Sequence, residues 1–404
     1  MKTLIILFWI FIFIIFYTYL GYGILLYVLV KIKRLFIKKV NLPLNKNTLP
    51  TVSLLIAAFN EEDIIEEKMI NNYSLKYPSD LFNIVWVTDG CTDNTDKLIN
   101  KYIGNHDGKP QVLLFHEKYR NGKTAAVNRA IPLLNSDIIV LTDANTMINQ
   151  NAILEIIKEF QNPKVGCVAG EKVVVISNKD NAAGSEGIYW KYESTLKKLD
   201  WELNSAVGAA GELYAIRRKL FIKMPNDTLL DDFIMSMRIA MKGYKIAYCN
   251  KAYAKEDSSL NIKEEQKRKV RISAGGIQSI YRLKPLLNIF KYRTLSFQYI
   301  SHRVLRWSIT PISIFLLLLI NIIIAFITKD FTNFYSIILI LQILFYIMGL
   351  IGKILADKQI KNIVLYIPYY FLFMNVNVIK GFFYLYNRNS NNSVWEKAKR
   401  KYND

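Results

Sequence analysis

Residues 52–93 read VSLLIAAFNEEDIIEEKMINNYSLKYPSDLFNIVWVTDGCTD, and the alternation of apolar and polar residues in this stretch decides the fold. Val52 to Ala57 is a short apolar run of the kind that forms a buried strand. Glu61 to about Asn72 follows with helical spacing, and Asn83 to Thr88 is a second strand. Thr92 is placed to cap a helix through Tyr102. Further out, Val112 to His116, a helix from about Lys123 to Leu134, and Ile138 to Leu141 continue the alternation. Strands alternating with helices of this length predict an α/β domain with a mostly parallel, doubly wound sheet. Ligands of such sheets bind at the carboxyl ends of the strands. Here those ends carry Asn60 and Glu61, Asp89 and Gly90, and Asp143 and Asn145. No Gly-x-Gly-x-x-Gly follows the first strand and no P-loop sequence is present, which disfavours a dinucleotide oxidoreductase.

The apolar residues, 52% of the chain, concentrate towards its two ends. Leu4 to Val30 contains no charged residue and is long enough to cross a bilayer. Lys31, Lys33, Arg34, Lys38 and Lys39 follow it, which by the positive-inside rule makes this side cytoplasmic. Three more apolar stretches run from Trp307 to Ile327, Phe334 to Gly352 and Ile363 to about Tyr386. Asn375, Asn377 and Lys380 in the last must face protein or water. Four spans put the tail outside, yet Lys397, Lys399, Arg400 and Lys401 favour the inside. The expected division is an N-terminal transmembrane helix (1–31), a basic linker (32–48), the soluble domain (49–275), an interfacial amphipathic segment (276–306), C-terminal transmembrane helices (307–387) and a basic tail (388–404).

A net charge of +20 is explained by basic residues beside the apolar spans, where they meet anionic lipid headgroups, so no nucleic-acid partner is expected. Cys91, Cys167 and Cys249 are too far apart for a metal cluster or disulfide framework, and the three histidines are scattered.

Five motifs carry candidate chemistry. Phe59-Asn60-Glu61-Glu62 and Thr88-Asp89-Gly90-Cys91-Thr92-Asp93 offer strand-end carboxylates to a base or ribose, with helix capping as the alternative and Asp93 as a first-turn acid. Thr142-Asp143-Ala144-Asn145 places two oxygen-bearing side chains where one hard cation can be held, or an Asx turn formed. Asp231 and Asp232 at the edge of an apolar run suit a general base, or cap the helix Ile234 to Met241. Finally, Lys267, Arg268 and Arg271 share one helical face that either clamps a diphosphate or lies on the membrane.

In this order, from about Pro50 to Gly276, the motifs resemble family 2 glycosyltransferases, above all the membrane cellulose, hyaluronan and poly-N-acetylglucosamine synthases. The resemblance implies a GT-A type cytoplasmic domain inserted between transmembrane helices. It puts Asp89 on the uridine, Asn60 and Glu61 in the first nucleotide loop, and Lys123 near the donor. It makes Asp143 and Asn145 the metal pair, Gly211 and Glu212 part of the acceptor side with Tyr214 to Arg218, and Asp232 the base. Arg268 and Arg271 match a Gln-x-x-Arg-Trp motif that holds the diphosphate. Three positions depart from the family's motifs: Asn145 replaces an aspartate, and Arg268 and Ile272 stand for glutamine and tryptophan, which puts processive extension in doubt.

The expectation is an inverting enzyme of the cell membrane, multi-pass, with Mg²⁺ or Mn²⁺ as cofactor. It would pass sugar from a UDP-sugar to a growing polysaccharide, or in the alternative a single sugar to a membrane lipid. A nucleotide-sensing receptor on an inactive transferase fold is a third reading. Residues Ile277 to Ile300 would lie along the bilayer, with Trp307 anchoring the next span at the headgroups. Asn375, Asn377 and Lys380 are candidate channel lining, or bundle packing.

Overall fold

The computed structural model of the protein describes residues 1–37, 48–104, 108–175, 183–257, 262–330, 332–358, 360 and 362–388. Lys38, Lys39 and the four basic tail residues Lys397, Lys399, Arg400 and Lys401 lie outside them. The chain forms two compact units. One comprises Met1–Lys33, Ile176–Leu196 and Ser259–Asn387, the other Arg34–Val175, Lys197–Ser258 and Arg388–Asp404.

Helices α1 (Lys2–Phe16) and α2 (Tyr22–Phe36) open the chain, joined by a π-helical turn at Tyr17–Gly21. The α/β unit then supplies β1 (Val52–Ala58), α3 (Ile65–Tyr73), β2 (Phe82–Thr88), α4 (Thr95–Asn100), β3 (Gln111–Phe115) and α5 (Lys123–Ala130). After these come β4 (Ile138–Asp143), β5 (Met147–Ile148), α6 (Ala152–Phe160) and β6 (Val165–Val175). A long helix α7 (Ala183–Leu203) precedes β7 (Leu213–Arg217), α8 (Asp231–Met241) and β8 (Lys245–Asp257). The chain closes with α9 (Ile262–Arg282), the short α10 (Ile289–Tyr292), α11 (Thr294–Tyr299) and α12 (Leu305–Trp307), then α13 (Ile309–Thr328), α14 (Phe334–Asp357) and α15 (Ile363–Tyr386).

The eight strands among the described residues join one sheet in the order β3-β2-β1-β4-β7-β6-β8-β5. Every residue of β1 is buried, as expected of a central strand covered on both faces. Strands β3, β2, β1 and β4 are parallel, as the alternation of strands and helices predicts. Beyond β4 the sheet is mixed: β7 runs antiparallel to β4 and β6, while β8 is parallel to β6 and antiparallel to β5. Registers Ala58↔Thr88 and Ala57↔Asp143 align the carboxyl ends of β1, β2 and β4, so the three polar loops emerge side by side. Beneath them Ile56, Trp86, Val140, Ile153, Val168 and Ala215 belong to one apolar core.

Two local expectations need correction. The helix expected from Glu61 starts at Ile65, after a 3₁₀ turn over Glu62–Ile64. Thr92 does not cap the next helix, which starts at Thr95; its hydroxyl and amide are taken by the Asn60 side chain at 3.0 and 2.8 Å.

Among the described residues four helical stretches are long and apolar enough to cross a membrane: Lys2–Phe36, Ile309–Thr328, Phe334–Asp357 and Ile363–Tyr386. The chain is a membrane protein. Phe8 of α1 packs with Leu317 and Ile324 of α13. Asn375 accepts the Tyr19 hydroxyl at 2.6 Å and donates to the Phe371 carbonyl at 2.8 Å, and Asn377 accepts from Gln266 at 3.3 Å. Both asparagines are buried packing links between helices. Trp307 lays its indole over Gly276, where an added Cβ would come within 2.4 Å of the ring. Helix α15 approaches α9 at Gly381, where a Cβ would sit 2.7 Å from that of Ser273 and 2.8 Å from the Ala274 nitrogen. Small residues let helix backbones meet in this way in a bilayer. Gly381→Leu is therefore expected to lower the melting temperature of the detergent-solubilised protein, overpacking of this kind costing about 1–3 kcal/mol.

Candidate active site

The site is built from the loops at the carboxyl ends of β1, β2 and β4 and from the start of α8. Asn60 adopts φ 52°, a left-handed conformation that asparagine tolerates. The Glu61 amide donates to Thr95 Oγ1 at 2.8 Å, and Asp93 accepts from the Glu62 and Thr95 amides at 3.2 and 3.0 Å. The first two loops are thus laced into one surface.

Asp89 does more than end β2. Its Oδ2 accepts from the amides of Asn121 and Gly122 at 2.9 and 2.5 Å, which fixes the chain entering α5. Gly90, at φ +71°, leaves room for the backbone of Arg120, whose nitrogen is 2.7 Å from where a Cβ would stand. Asp89 Oδ1 is buried with no hydrogen-bond partner among the described residues, and Arg129 Nη1 stands 3.9 Å from it. Burial pushes the Asp89 carboxyl up, against the pull of the Gly122 and Asn121 amides and of Arg129.

The loop so fixed delivers Lys123, first residue of α5, whose ammonium donates to Asp143 Oδ1 at 2.6 Å. Burial opposes this charge, but Asp143, Asp231 and Asp232 together hold Lys123 above the usual lysine range. Asp143 is the last residue of β4. Its carboxylate is engaged by Lys123, while the turn after it closes through the Asp143 carbonyl and the Thr146 amide at 3.4 Å. Asn145 sits half-buried in the same turn.

Asp231 and Asp232 form the first turn of α8. The helix start is locked from below: the Phe233 ring fills the space at Gly208, where a Cβ would overlap it at 2.1 Å, and the Ala209 amide donates to Ser236 Oγ at 2.9 Å. Burial, then the adjacent Asp231, push Asp232 up to about 7, opposed by Lys123 and by the Phe233 amide that donates to its Oδ1 at 2.7 Å. Asp231 Oδ2 is buried and has no hydrogen-bond partner among the described residues.

Gly211 shows where these groups converge. A Cβ on it would lie 3.2 Å from Lys123 Nζ, 3.3 Å from Asp232 Oδ2 and 3.8 Å from Asp143 Oδ2. The bare backbone there leaves a face open to one ammonium and two carboxylates. Next to it, Glu212 Oε1 receives the Lys172 ammonium at 2.5 Å, and Lys172 is also bonded to Glu256. Lys172 and Glu256 were not singled out in the sequence. The one local signal is a lysine inside the apolar strand Val165–Val175.

Asn60, Glu61, Asp89, Lys123, Asp143, Asn145, Gly211, Glu212, Asp231 and Asp232 all belong to this unit. Arg268 and Arg271 stand on α9, in the other unit. Arg268 donates from Nε and Nη2 to the Glu265 carboxylate at 3.0 and 3.1 Å, and Arg271 is half-buried.

A mixed sheet with strand-end carboxylates on its parallel half and an acid pair beyond the strand reversal has the GT-A type of architecture, in a chain that also carries membrane helices. Residues 50–275 match the family described as "Glycosyltransferase like family 2", and the chain belongs to that family. It is 28% identical over 211 residues to a beta-monoglucosyldiacylglycerol synthase of Nostoc sp., covering 50% of this chain and 43% of that protein. It is 29% identical over 213 residues to a poly-beta-1,6-N-acetyl-D-glucosamine synthase of Staphylococcus aureus, covering 51% of this chain and 49% of that one. The chain thus spans about half the length of the curated relatives it matches. The fold is also that of a mannosyltransferase, PcManGT from Pyrobaculum calidifontis, solved in complex with GDP-Man and Mn²⁺, with a TM-score of 0.70 at 19% identity. That likeness covers 94% of this chain and 99% of the other, so it takes in apolar helices as well as the sheet.

Proposed function

We propose that the protein is an inverting glycosyltransferase of the cell membrane, taking sugar from a UDP-sugar on the cytoplasmic side and adding it to a growing polysaccharide. The observation that carries this reading is the convergence of Asp232, Lys123 and Asp143 on the open face of Gly211. Asp232, with a pKa near 7, is matched to take a proton from a sugar hydroxyl at neutral pH. In that step the hydroxyl proton passes to Asp232, and the acceptor oxygen bonds to the anomeric carbon from the face opposite the nucleotide. The bond from that carbon to the diphosphate oxygen breaks, and UDP leaves with its electron pair. Oδ1 of Asp89, which has no hydrogen bond among the described residues, is proposed to accept from the base, with Asn60 and Glu61 shaping the same loop. Arg268 and Arg271 are proposed to neutralise the diphosphate, a role supported by the motif resemblance.

The donors of Asp143 and Asn145 are oxygens, which suits a hard cation such as Mg²⁺ or Mn²⁺, and Asp143 already attracts a cationic ammonium. Among the described residues no group of three or more histidine, cysteine, aspartate or glutamate side chains gathers to hold a metal. Asp143 and Asn145 would therefore share the ion with phosphate oxygens of the donor, as is usual for Mg²⁺. When bound, it would offset the diphosphate charge.

A second reading, transfer of one sugar to a lipid, is favoured by Ile272 standing where the synthase motif has tryptophan and by the likeness to a glucosyldiacylglycerol enzyme. The test is UDP release by the detergent-solubilised protein with Mg²⁺ or Mn²⁺ across a panel of UDP-sugars, with products sized by gel and mass spectrometry. A long polymer from one donor establishes the synthase; a one-sugar product formed only with added lipid establishes the second reading. No release from any UDP-sugar would overturn both. The pH profile of turnover is expected to rise as the pH passes about 7 and then level off, because the base must be ionised.

A further inference from the structure

Helix α3 carries a fully buried lysine that the chemistry described so far does not use. Lys68 has no solvent exposure, and its ammonium donates to the carbonyl of Thr146. One helical turn on, Asn71 grips the neighbouring strand with both ends of its amide: Nδ2 donates to the Ile148 carbonyl at 2.8 Å, and the Ile148 amide donates to Oδ1 at 3.0 Å. Positions three apart on a helix face the same side, so the two residues act as one clamp on residues 146 and 148. A buried amine is costly beside an uncharged carbonyl, and a leucine or methionine would fill the space more cheaply.

What the clamp holds is the turn after Asp143. Thr146 Oγ1 lies 2.9 Å from both the Asp143 carbonyl and Thr142 Oγ1, and its single proton serves one of them. Thr142 in turn donates to the Glu212 carbonyl at 2.7 Å, next to Gly211. A chain of polar contacts therefore runs from α3 through Thr146 and Thr142 to the segment facing Asp232. It includes the backbone of Asp143, one of the two residues proposed for the cation. Burial pushes the Lys68 amine down to about 7, with Asp143 pulling it the other way, so the contact acts as a geometric hold more than as a charge pair.

We propose that Lys68 and Asn71 are positioning residues that fix the spacing of Asp143 and Asn145, and thereby set the affinity of the site for a divalent cation bound together with a nucleoside diphosphate. The inference rests on the reading of Asp143 and Asn145 as the cation pair. Outer residues that orient ligands are commonly worth 10- to 100-fold in metal affinity. Neither residue belongs to the nucleotide loops at residues 58–61 and 88–93, so nucleotide affinity without metal should not depend on them.

The test is calorimetric titration of the full-length protein in detergent with UDP, in the presence of Mn²⁺ and in its absence. For Lys68→Met and Asn71→Leu the expected result is a 10- to 100-fold weaker binding of UDP with Mn²⁺ and unchanged binding of UDP alone. Asn71→Asp, which keeps the acceptor for the Ile148 amide and loses the donor, serves where the larger changes compromise folding, with an expected loss below tenfold. Wild-type affinity with Mn²⁺ in these variants overturns the proposal, as does an equal loss with and without metal. If Mn²⁺ leaves UDP binding by the wild type unaltered, the cation pair itself is misassigned and the inference falls with it.

Discussion

Replacement of Asp232 by asparagine is expected to remove sugar transfer while UDP still binds. The amide is nearly isosteric and can keep the contact with the Phe233 amide, but it cannot take a proton from the acceptor hydroxyl. Loss of a positioned general base lowers turnover by about 10²- to 10⁴-fold. The same change has a second, opposite signature in stability. The folded Asp232 holds its proton up to about pH 7, whereas in an unfolded chain it would release it near pH 4. The folded state thus binds more protons between these values, and the stability it derives from this group falls as pH rises through that window. Asp232→Asn should therefore melt higher than wild type at pH 8 and show little difference at pH 4, while being inactive at both. Turnover within tenfold of wild type would remove Asp232 from the role of base.

The second large effect concerns Lys172. Its ammonium is buried between Glu212 and Glu256, with Glu256 equally enclosed. Lys172→Met would leave two carboxylates with no ammonium between them, and breaking a buried pair in this way costs about 3–5 kcal/mol. The expected result is a melting temperature several degrees lower at neutral pH, with partial recovery as the pH is lowered and the carboxylates become neutral. Lys172→Met combined with Glu256→Gln should recover part of the loss, and the double-mutant cycle reads the coupling directly. Because Glu212 adjoins Gly211, the folded fraction of Lys172→Met should also show a raised KM for the acceptor.

The parallel half of the sheet was legible because Val52 to Ala57 and Ile138 to Leu141 are near-continuous apolar runs closed by polar residues, a local pattern. The placement of Asn60, Asp89 and Asp143 followed from it. The reversal at β7 was not legible, since nothing local in Leu213–Arg217 says which way the strand runs beside β4. The Lys172, Glu212 and Glu256 group was hidden for a related reason: its members come from β6, the loop before β7 and β8, and no fixed spacing unites them. Lys68 had a weak signal, a lysine in a helix among the buried Ile65, Met69 and Asn72. Thr92 misled because capping preference is local, whereas the Asn60 side chain that claims it lies 32 residues away. The diphosphate role proposed for Arg268 and Arg271 comes from motif resemblance, and the contacts of Arg268 with Glu265 would not have suggested it.

The change of strand direction between β4 and β7 has an evolutionary reading. The residues proposed to grip the nucleotide within the sheet unit, Asn60 to Asn145, are complete before the chain reaches the reversed strand; the base and the groups beside it begin at Gly211. The two sets meet along a single strand pair, whose register runs from Ile138↔Arg217 to Thr142↔Leu213. A lineage, or a recombination experiment, that joins two such chains at one crossover between about residues 146 and 205 would inherit the donor preference of one and the acceptor preference of the other. New glycan linkages would then arise by splicing at one seam, with the part of the nucleotide grip that lies before it carried along unchanged.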